Sequence, residues 1–310
     1  MDRESRRDCY RLAAATAADQ DGILSRRQIR ELGLHRRDVR TQVDAKRWHK
    51  PSPNTVAVFT GELSQRQQWS LALLETGCSR AALDGVTALQ AAGLTGYAAP
   101  TTISCPLGAK PRRIAGVEVH VTRWRFTGDV MNSGIPRVRP QVAAVRAALW
   151  ARTDRQAALI LVMAVQQRLS TARRLQWELR RIGRHPRRRL LVQVLADIAD
   201  GAQALGELDF AALCRQYRLP KPSRQVLRRG TRGQIYLDVY FDDYGLVVEV
   251  DGIQHAIGLN QVDDALRQNE VSLGAETVLR IPLLGLRLQA ADFMAQLSRG
   301  LRDRGWRSRR

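Results

Sequence analysis

The 310-residue chain is poor in cysteine and lysine and has no long apolar run. Its four cysteines, Cys9, Cys78, Cys105 and Cys214, lie far apart with no C-x-x-C pair. That spacing argues against a zinc ribbon, a redox motif or a disulfide framework, and free thiols are expected. The longest uninterrupted apolar stretch, Ala157 to Val165, has nine residues, against the ~20 that cross a bilayer. The N-terminal MDRESRRDCYR is charged with no apolar segment behind it, so it does not read as a secretory signal. A cytoplasmic protein with no membrane partner is the expectation. A Gly-rich phosphate loop and an internal repeat of about 20 to 50 residues are also missing.

A length of 310 residues exceeds one typical domain of roughly 100 to 200 residues, so two or three folded units are expected. Hydrophobic residues at 44% and charged residues at 26% are ordinary globular values and exclude a wholly disordered or collagen-like chain. The charge balance is less ordinary. Fifty Lys and Arg against 30 Asp and Glu give +20, with a pI near 11.1. Such a chain attracts a polyanion, with nucleic acid ahead of an acidic protein or an anionic membrane surface. Only Lys46, Lys50, Lys110 and Lys221 are lysines. Arginine suits bidentate phosphate contacts, although a GC-rich genome would favour it whatever the function.

Residues 1–60 read as a small helical unit with a basic second half. A helix over Cys9 to Ala18 is followed by the turn Asp21-Gly22 and a short helix from Arg26 to Leu32, with Ser25 as N-cap and Gly33 as its stop. A third helix is expected from Arg36 to Lys46, then a hairpin through Pro51 to Asn54 into the strand Thr55 to Phe59. Three helices and a hairpin are the order of a winged helix, whose third helix enters the major groove. Arg36 and Arg40 share a face of that helix, with Arg37 beside them. They are candidate DNA contacts; the alternative is a solvated helix face.

Residues 61–194 carry little chemistry and read as an α/β middle region. Helices are expected at Gln65 to Thr76, Asp84 to Ala92, Arg139 to Ala151 and Asp154 to Gln167, with strands at Thr101 to Cys105 and Val117 to Thr122. Arg173 to Arg189 holds eight arginines against Glu178 alone, broken by Gly183 and His185-Pro186 into two helical pieces. This run is either a second DNA-facing patch or a solvated charge run.

The densest signal lies in residues 195–310. Gln225 to Leu227 and Gln234 to Phe241 read as strands, Asp242 to Gly245 as a turn, and Leu246 to Asp251 as an apolar strand carrying two carboxylates. An antiparallel hairpin around that turn sets Phe241 opposite Leu246 and therefore Asp238 opposite Glu249, with Cβ atoms about 5 Å apart. Asp251, two residues on, shares the face of Glu249. Three acids on one strand face could simply line a solvated sheet face, but Leu246, Val247, Val248 and Val250 suggest a strand largely buried on both sides, where carboxylates need a partner such as a hard divalent cation. His255 is a candidate ligand or general base, or an ordinary loop histidine. A helix from Gln261 to Leu273 brings Asp263 and Arg267 onto one face, and Thr277 to Ile281 reads as a further strand.

The blocks YLDVYF, VVEVDGIQH, DDALRQNE and TVLRIP, in this order, resemble the C-terminal domain called DUF559, a relative of the very-short-patch-repair endonucleases within the PD-(D/E)XK nuclease superfamily. The resemblance covers about residues 195–306. It implies an α/β/α restriction-endonuclease-like core with a mixed sheet, and Mg²⁺ (or Mn²⁺) bound at the scissile phosphate by a helix acid, a strand Asp and a strand Glu. Carried onto this sequence these are Glu207, Asp238 and Glu249. Arg267, on the helix before the last strand, is a further candidate DNA contact. The superfamily pattern has Lys two residues after the Glu, where this chain has Asp251, as the DUF559-like pattern often does. His255, a metal-activated water or Lys221 would then serve as base, since arginine stays protonated, and in the metal-assisted version His255 or Asp251 accepts the proton. The N-terminal unit resembles the winged helix of AbiEi-type antitoxins. The expectation is a multidomain α/β DNA-binding protein with a metal-dependent endonuclease-like domain. The alternative is a DNA-binding regulator, of transcription or antitoxin type, whose nuclease fold is catalytically degenerate.

Overall fold

The computed structural model describes residues 3–131, 133–199, 208–229, 235–252, 260–272 and 278–307. The described residues are mixed α/β with three sheets, and the chain clusters into two compact units, Met1–Arg146 and Ala147–Arg310.

The first unit opens with the helix Arg3–Ala18, which begins well before Cys9. Strand β1 (Ile23–Ser25), the helices Arg26–Glu31 and Arg36–Asp44, and strands β2 (His49–Ser52) and β3 (Thr55–Ala57) follow. The strands form an antiparallel sheet in the order β1-β3-β2. Ala13, Ala17, Leu24, Ile29, Leu34, Trp48 and Val56 make its core, with Val39 and Val43 of the third helix packed against it half-buried. Ser25 caps the second helix as expected: Gln28 N donates to Ser25 Oγ (3.2 Å) and Ser25 N to Gln28 Oε1 (2.9 Å). The third helix ends at Asp44, and Lys46 takes a left-handed φ of 54°. Buried Asp38 starts it, accepting from His35 N at 2.9 Å.

The Gln65–Glu75 helix is tied to this small sheet by two carboxylates. Glu75, 4% exposed, accepts from Asn54 N (2.7 Å), Asn54 Nδ2 (2.9 Å) and Thr55 Oγ1 (3.0 Å) at the β2–β3 turn. Asp21 pairs with Arg66 (2.6 Å) and accepts from Ser70 Oγ (2.5 Å). Beyond it, β4 (Ala82–Leu83), β5 (Thr101–Pro106), β6 (Val117–Thr122), β7 (Val130–Met131) and β8 (Arg137–Val138) form a mixed sheet ordered β6-β5-β4-β8-β7. Arg146, from the Pro140–Trp150 helix, is 1% exposed and pairs with Asp84 and Asp129 at 2.8 Å each. A buried arginine of this kind is tolerated because both carboxylates and the Trp124 carbonyl engage its two terminal nitrogens, Nη1 and Nη2.

The second unit has the helices Asp154–Gln166, Ala172–Arg181, Arg188–Ala199 and Phe210–Gln216 ahead of β9 (Arg224–Arg229), β10 (Ile235–Phe241) and β11 (Leu246–Asp251). The helix Asn260–Ser272 then leads to β12 (Val278–Pro282) and the helices Leu283–Leu288 and Ala290–Asp303. The sheet order is β12-β11-β10-β9; β11 and β12 run parallel across the intervening helix, and the other pairs are antiparallel. Leu237, Val239, Phe241, Leu246, Val248, Val250, Leu279 and Ile281 bury one face of this sheet. Among the described residues no helix is long and apolar enough to cross a membrane.

Candidate functional site

The hairpin register follows from its turn. Asp242–Tyr244 make one 3₁₀ turn, and Gly245 closes it at φ 57°, the left-handed conformation that glycine adopts without strain. Phe241 therefore pairs with Leu246, and Asp238 faces Glu249 across β10 and β11. In the same register Tyr236 faces Asp251, so Tyr236, Asp238, Glu249 and Asp251 share the sheet face opposite the apolar one.

One expectation for this strand is corrected. β11 alternates, with Leu246, Val248 and Val250 buried and Val247, Glu249 and Asp251 half-exposed. The reason is that only one face of the sheet is covered by apolar packing, so the carboxylates line an open face. Asp238 is the exception at 4% exposed. Together with Arg228, Arg229, Tyr236 and Arg280, the three acids line a cleft of about 430 Å³.

The flanking strands supply arginines. β9 pairs with β10 so that Arg228 lies beside Tyr236 and Val226 beside Asp238, while β12 sets Arg280 beside Glu249. Arg228 Nε reaches Asp238 Oδ2 at 2.6 Å, and Arg280 Nε reaches Glu249 Oε2 at 3.2 Å. Tyr240 joins them: its hydroxyl accepts from Arg228 Nη2 (2.5 Å) and donates to Asp238 Oδ2 (3.2 Å), with the Arg224 guanidinium 4.2 Å from its ring centroid. The Tyr240 hydrogen bond and the Asp238 charge hold the Arg228 guanidinium above its ordinary value. Reasoning along the chain missed Arg228, Tyr240 and Arg280. Arg280 stood in the TVLRIP block, but nothing local indicated that its strand would pair parallel to β11.

Among the described residues, the hydrogen bonds to Asp238 end on Oδ2 and that to Glu249 on Oε2. Oδ1 and Oε1 are thus hard oxygen donors on directly opposed residues, a chemistry that suits Mg²⁺ or Mn²⁺. Among the described residues, no three His, Cys, Asp or Glu side chains group closely enough to hold a metal by themselves. Asp251 shares the face of Glu249 without completing such a trio. Glu207 and His255 lie outside the described residues.

The other candidates are placed as follows. Arg36, Arg37 and Arg40 are all exposed on the third helix of the first unit, and Arg40 has only a 3.7 Å contact with exposed Asp44. Arg267 is exposed and pairs with Asp264 at 2.8 Å. Its helix neighbour Asp263 is engaged instead by Arg155 at 2.9 Å, and that hydrogen bond holds the carboxyl below its ordinary value. Asp263 and Arg267 thus share a face of the helix but pair elsewhere.

No known family model matches the chain, and no curated protein matches it.

Proposed function

We propose that this protein binds DNA and that its second unit is a metal-dependent endonuclease of the PD-(D/E)XK kind, resembling DUF559 domains. The observation that carries the reading is the direct opposition of Asp238 and Glu249 on the half-open face of a mixed sheet, with arginines on both sides. Asp238 and Glu249 would hold Mg²⁺ or Mn²⁺, which supplies Lewis-acid activation of water and charge stabilisation at the phosphate. Arg228 and Arg280, released from the carboxylates as DNA and cation arrive, would turn their guanidinium donors to phosphate oxygens. Asp251 stands where the superfamily has Lys and would accept the proton from the attacking water, with His255 as the other candidate.

The first unit supports the DNA-binding half of the reading. Its helix–strand–helix–helix–strand–strand order, with sheet order β1-β3-β2, fits a winged helix that presents Arg36, Arg37 and Arg40 to the major groove. A second reading, a DNA-binding regulator with a degenerate nuclease fold, is favoured by one observation: each of the two carboxylates already has an arginine partner.

Incubation of the full chain with supercoiled plasmid and Mg²⁺ or Mn²⁺ separates the two. Nicking that is lost in both Asp238→Asn and Glu249→Gln supports the nuclease. Equal nicking by wild type and both variants would mark a contaminating enzyme. Tight DNA binding without cleavage under either metal would leave the regulator.

A further inference from the structure

Away from the carboxylates, the second unit carries its strongest positive patch on the Ala172–Arg181 helix and the loop after it. Eight arginines against Glu178 give this stretch +7 (8 − 1) between Arg173 and Arg189. Thr171 caps the helix, accepting from Arg174 N at 3.3 Å, and the buried Ala172, Leu175 and Leu179 define its inner face. Arg173, Trp177 and Arg180 are consequently turned outward.

Three of the arginines are used internally. Arg181 pairs with buried Glu178 at 2.6 Å. Arg187 pairs with Asp154 at 2.7 Å and donates to the carbonyls of Leu149 and Ala151, and Arg188 donates to the Ile182 carbonyl. By contrast Arg173, Arg174, Arg180, Arg184 and Arg189 have no ion pair among the described residues. Trp177 is 53% exposed, with the Arg181 guanidinium 5.0 Å from its ring centroid. The loop after this helix and the start of the next line an open cleft of about 730 Å³, with Arg184, Pro186, Arg189 and the exposed Val192 among its lining.

We infer that this surface binds single-stranded nucleic acid, with Trp177 as a stacking platform for an unpaired base and the surrounding arginines on the backbone. Charge alone would suit any polyanion. The exposed indole is what selects among them, because a duplex hides its base faces in its own stack while a single strand offers faces and phosphates together. The inference rests on the nucleic-acid reading above for the class of polymer and is independent of cleavage.

The test is fluorescence anisotropy of the full chain with a labelled oligo-dT 20-mer and a duplex of equal length, in EDTA. Trp177→Ala should weaken single-strand binding by about 10-fold, within the range for one lost base stack, and leave duplex affinity within about twofold. Trp177→Phe should retain most of the affinity. Arg180→Ala and Arg184→Ala should each lower the single-strand salt slope by about 0.7. Unchanged single-strand binding by Trp177→Ala overturns the inference, as does an equal loss on both polymers. Wild type that binds duplex alone overturns it and leaves the DNA-binding reading standing; wild type that binds neither overturns both. Equally tight binding of polyglutamate would replace it with a general polyanion surface.

Discussion

The Asn269 side chain holds the backbone of Arg280 like an extra strand. Asn269 Nδ2 donates to Arg280 O at 2.8 Å, and Arg280 N donates to Asn269 Oδ1 at 2.9 Å. β12 is an edge strand, and Asn269, 1% exposed, satisfies there the peptide groups that no neighbouring strand reaches. Gln296 extends the link, accepting from Asn269 at 3.2 Å and donating to Leu266 O at 2.9 Å. Arg280, the partner of Glu249, is thereby positioned by a residue that is not part of the cleft lining.

Asn269→Ala should therefore destabilise the second unit by about 2 to 4 kcal/mol, the cost of leaving two buried backbone groups without partners. Urea unfolding checks this. A change within 0.5 kcal/mol, roughly the scatter of surface substitutions, would mean that water replaces the amide.

Asp251→Asn tests the residue that, on the proposed nuclease reading, stands in place of lysine. As proton acceptor, Asp251 should be worth roughly 100-fold or more in turnover at saturating metal. Asp251→Lys should raise activity only if the superfamily's lysine role is what this chain lacks. Both changes make the local charge more positive, so DNA affinity is measured beside turnover. Unchanged turnover in Asp251→Asn would remove this carboxylate from the chemistry.

In the first unit, alanine at Arg36, Arg37 or Arg40 should each reduce the slope of log affinity against log salt for duplex DNA by about 1. All three side chains are exposed, so folding should be unaffected. An unaltered slope in the triple variant would move duplex contacts elsewhere.

Glu75 makes stability pH-dependent. Burial alone would raise its carboxyl, but hydrogen bonds from Asn54, Ser52 and Thr55 outweigh that and hold it below its ordinary 4.5. A carboxyl depressed on folding contributes its full stabilisation above the unfolded value, and the contribution is lost as pH falls through the folded value. Urea midpoints should accordingly fall as the pH is lowered from 5 to 3. Glu75→Gln should be less stable than wild type at pH 7 by about 1 to 3 kcal/mol, the scale of hydrogen bonds to a charged group, with a shallower acid decline. Parallel curves for the two proteins would assign the acid sensitivity to other carboxylates.

Much of the hairpin was legible in the sequence because its determinants are local. Alternation in YLDVYF, a four-residue turn ending in glycine, and the run LVVEVD are enough to oppose Asp238 and Glu249. The Ser25 cap and the break at Gly183 to Pro186 are likewise written within a few residues. The two-residue strands β4, β7 and β8 were not legible, since segments that short carry no periodicity.

What tertiary structure alone decided is the company the carboxylates keep. Arg228 and Arg280 reach Asp238 and Glu249 because β9 and β12 take their places on either side of the hairpin, and strand order is set by the packing of the whole sheet. The same packing covers one face of β11 and leaves the other open, against the reading of a strand buried on both sides, because Val247 borders the acid face even though its side chain is apolar. Composition by itself determined that the chain folds and carries +20. Where those charges are consumed, as at Arg146 and Arg187, and where they face solvent, as around Trp177, depends on which carboxylates and carbonyls the fold brings within hydrogen-bonding reach, often from tens of residues away.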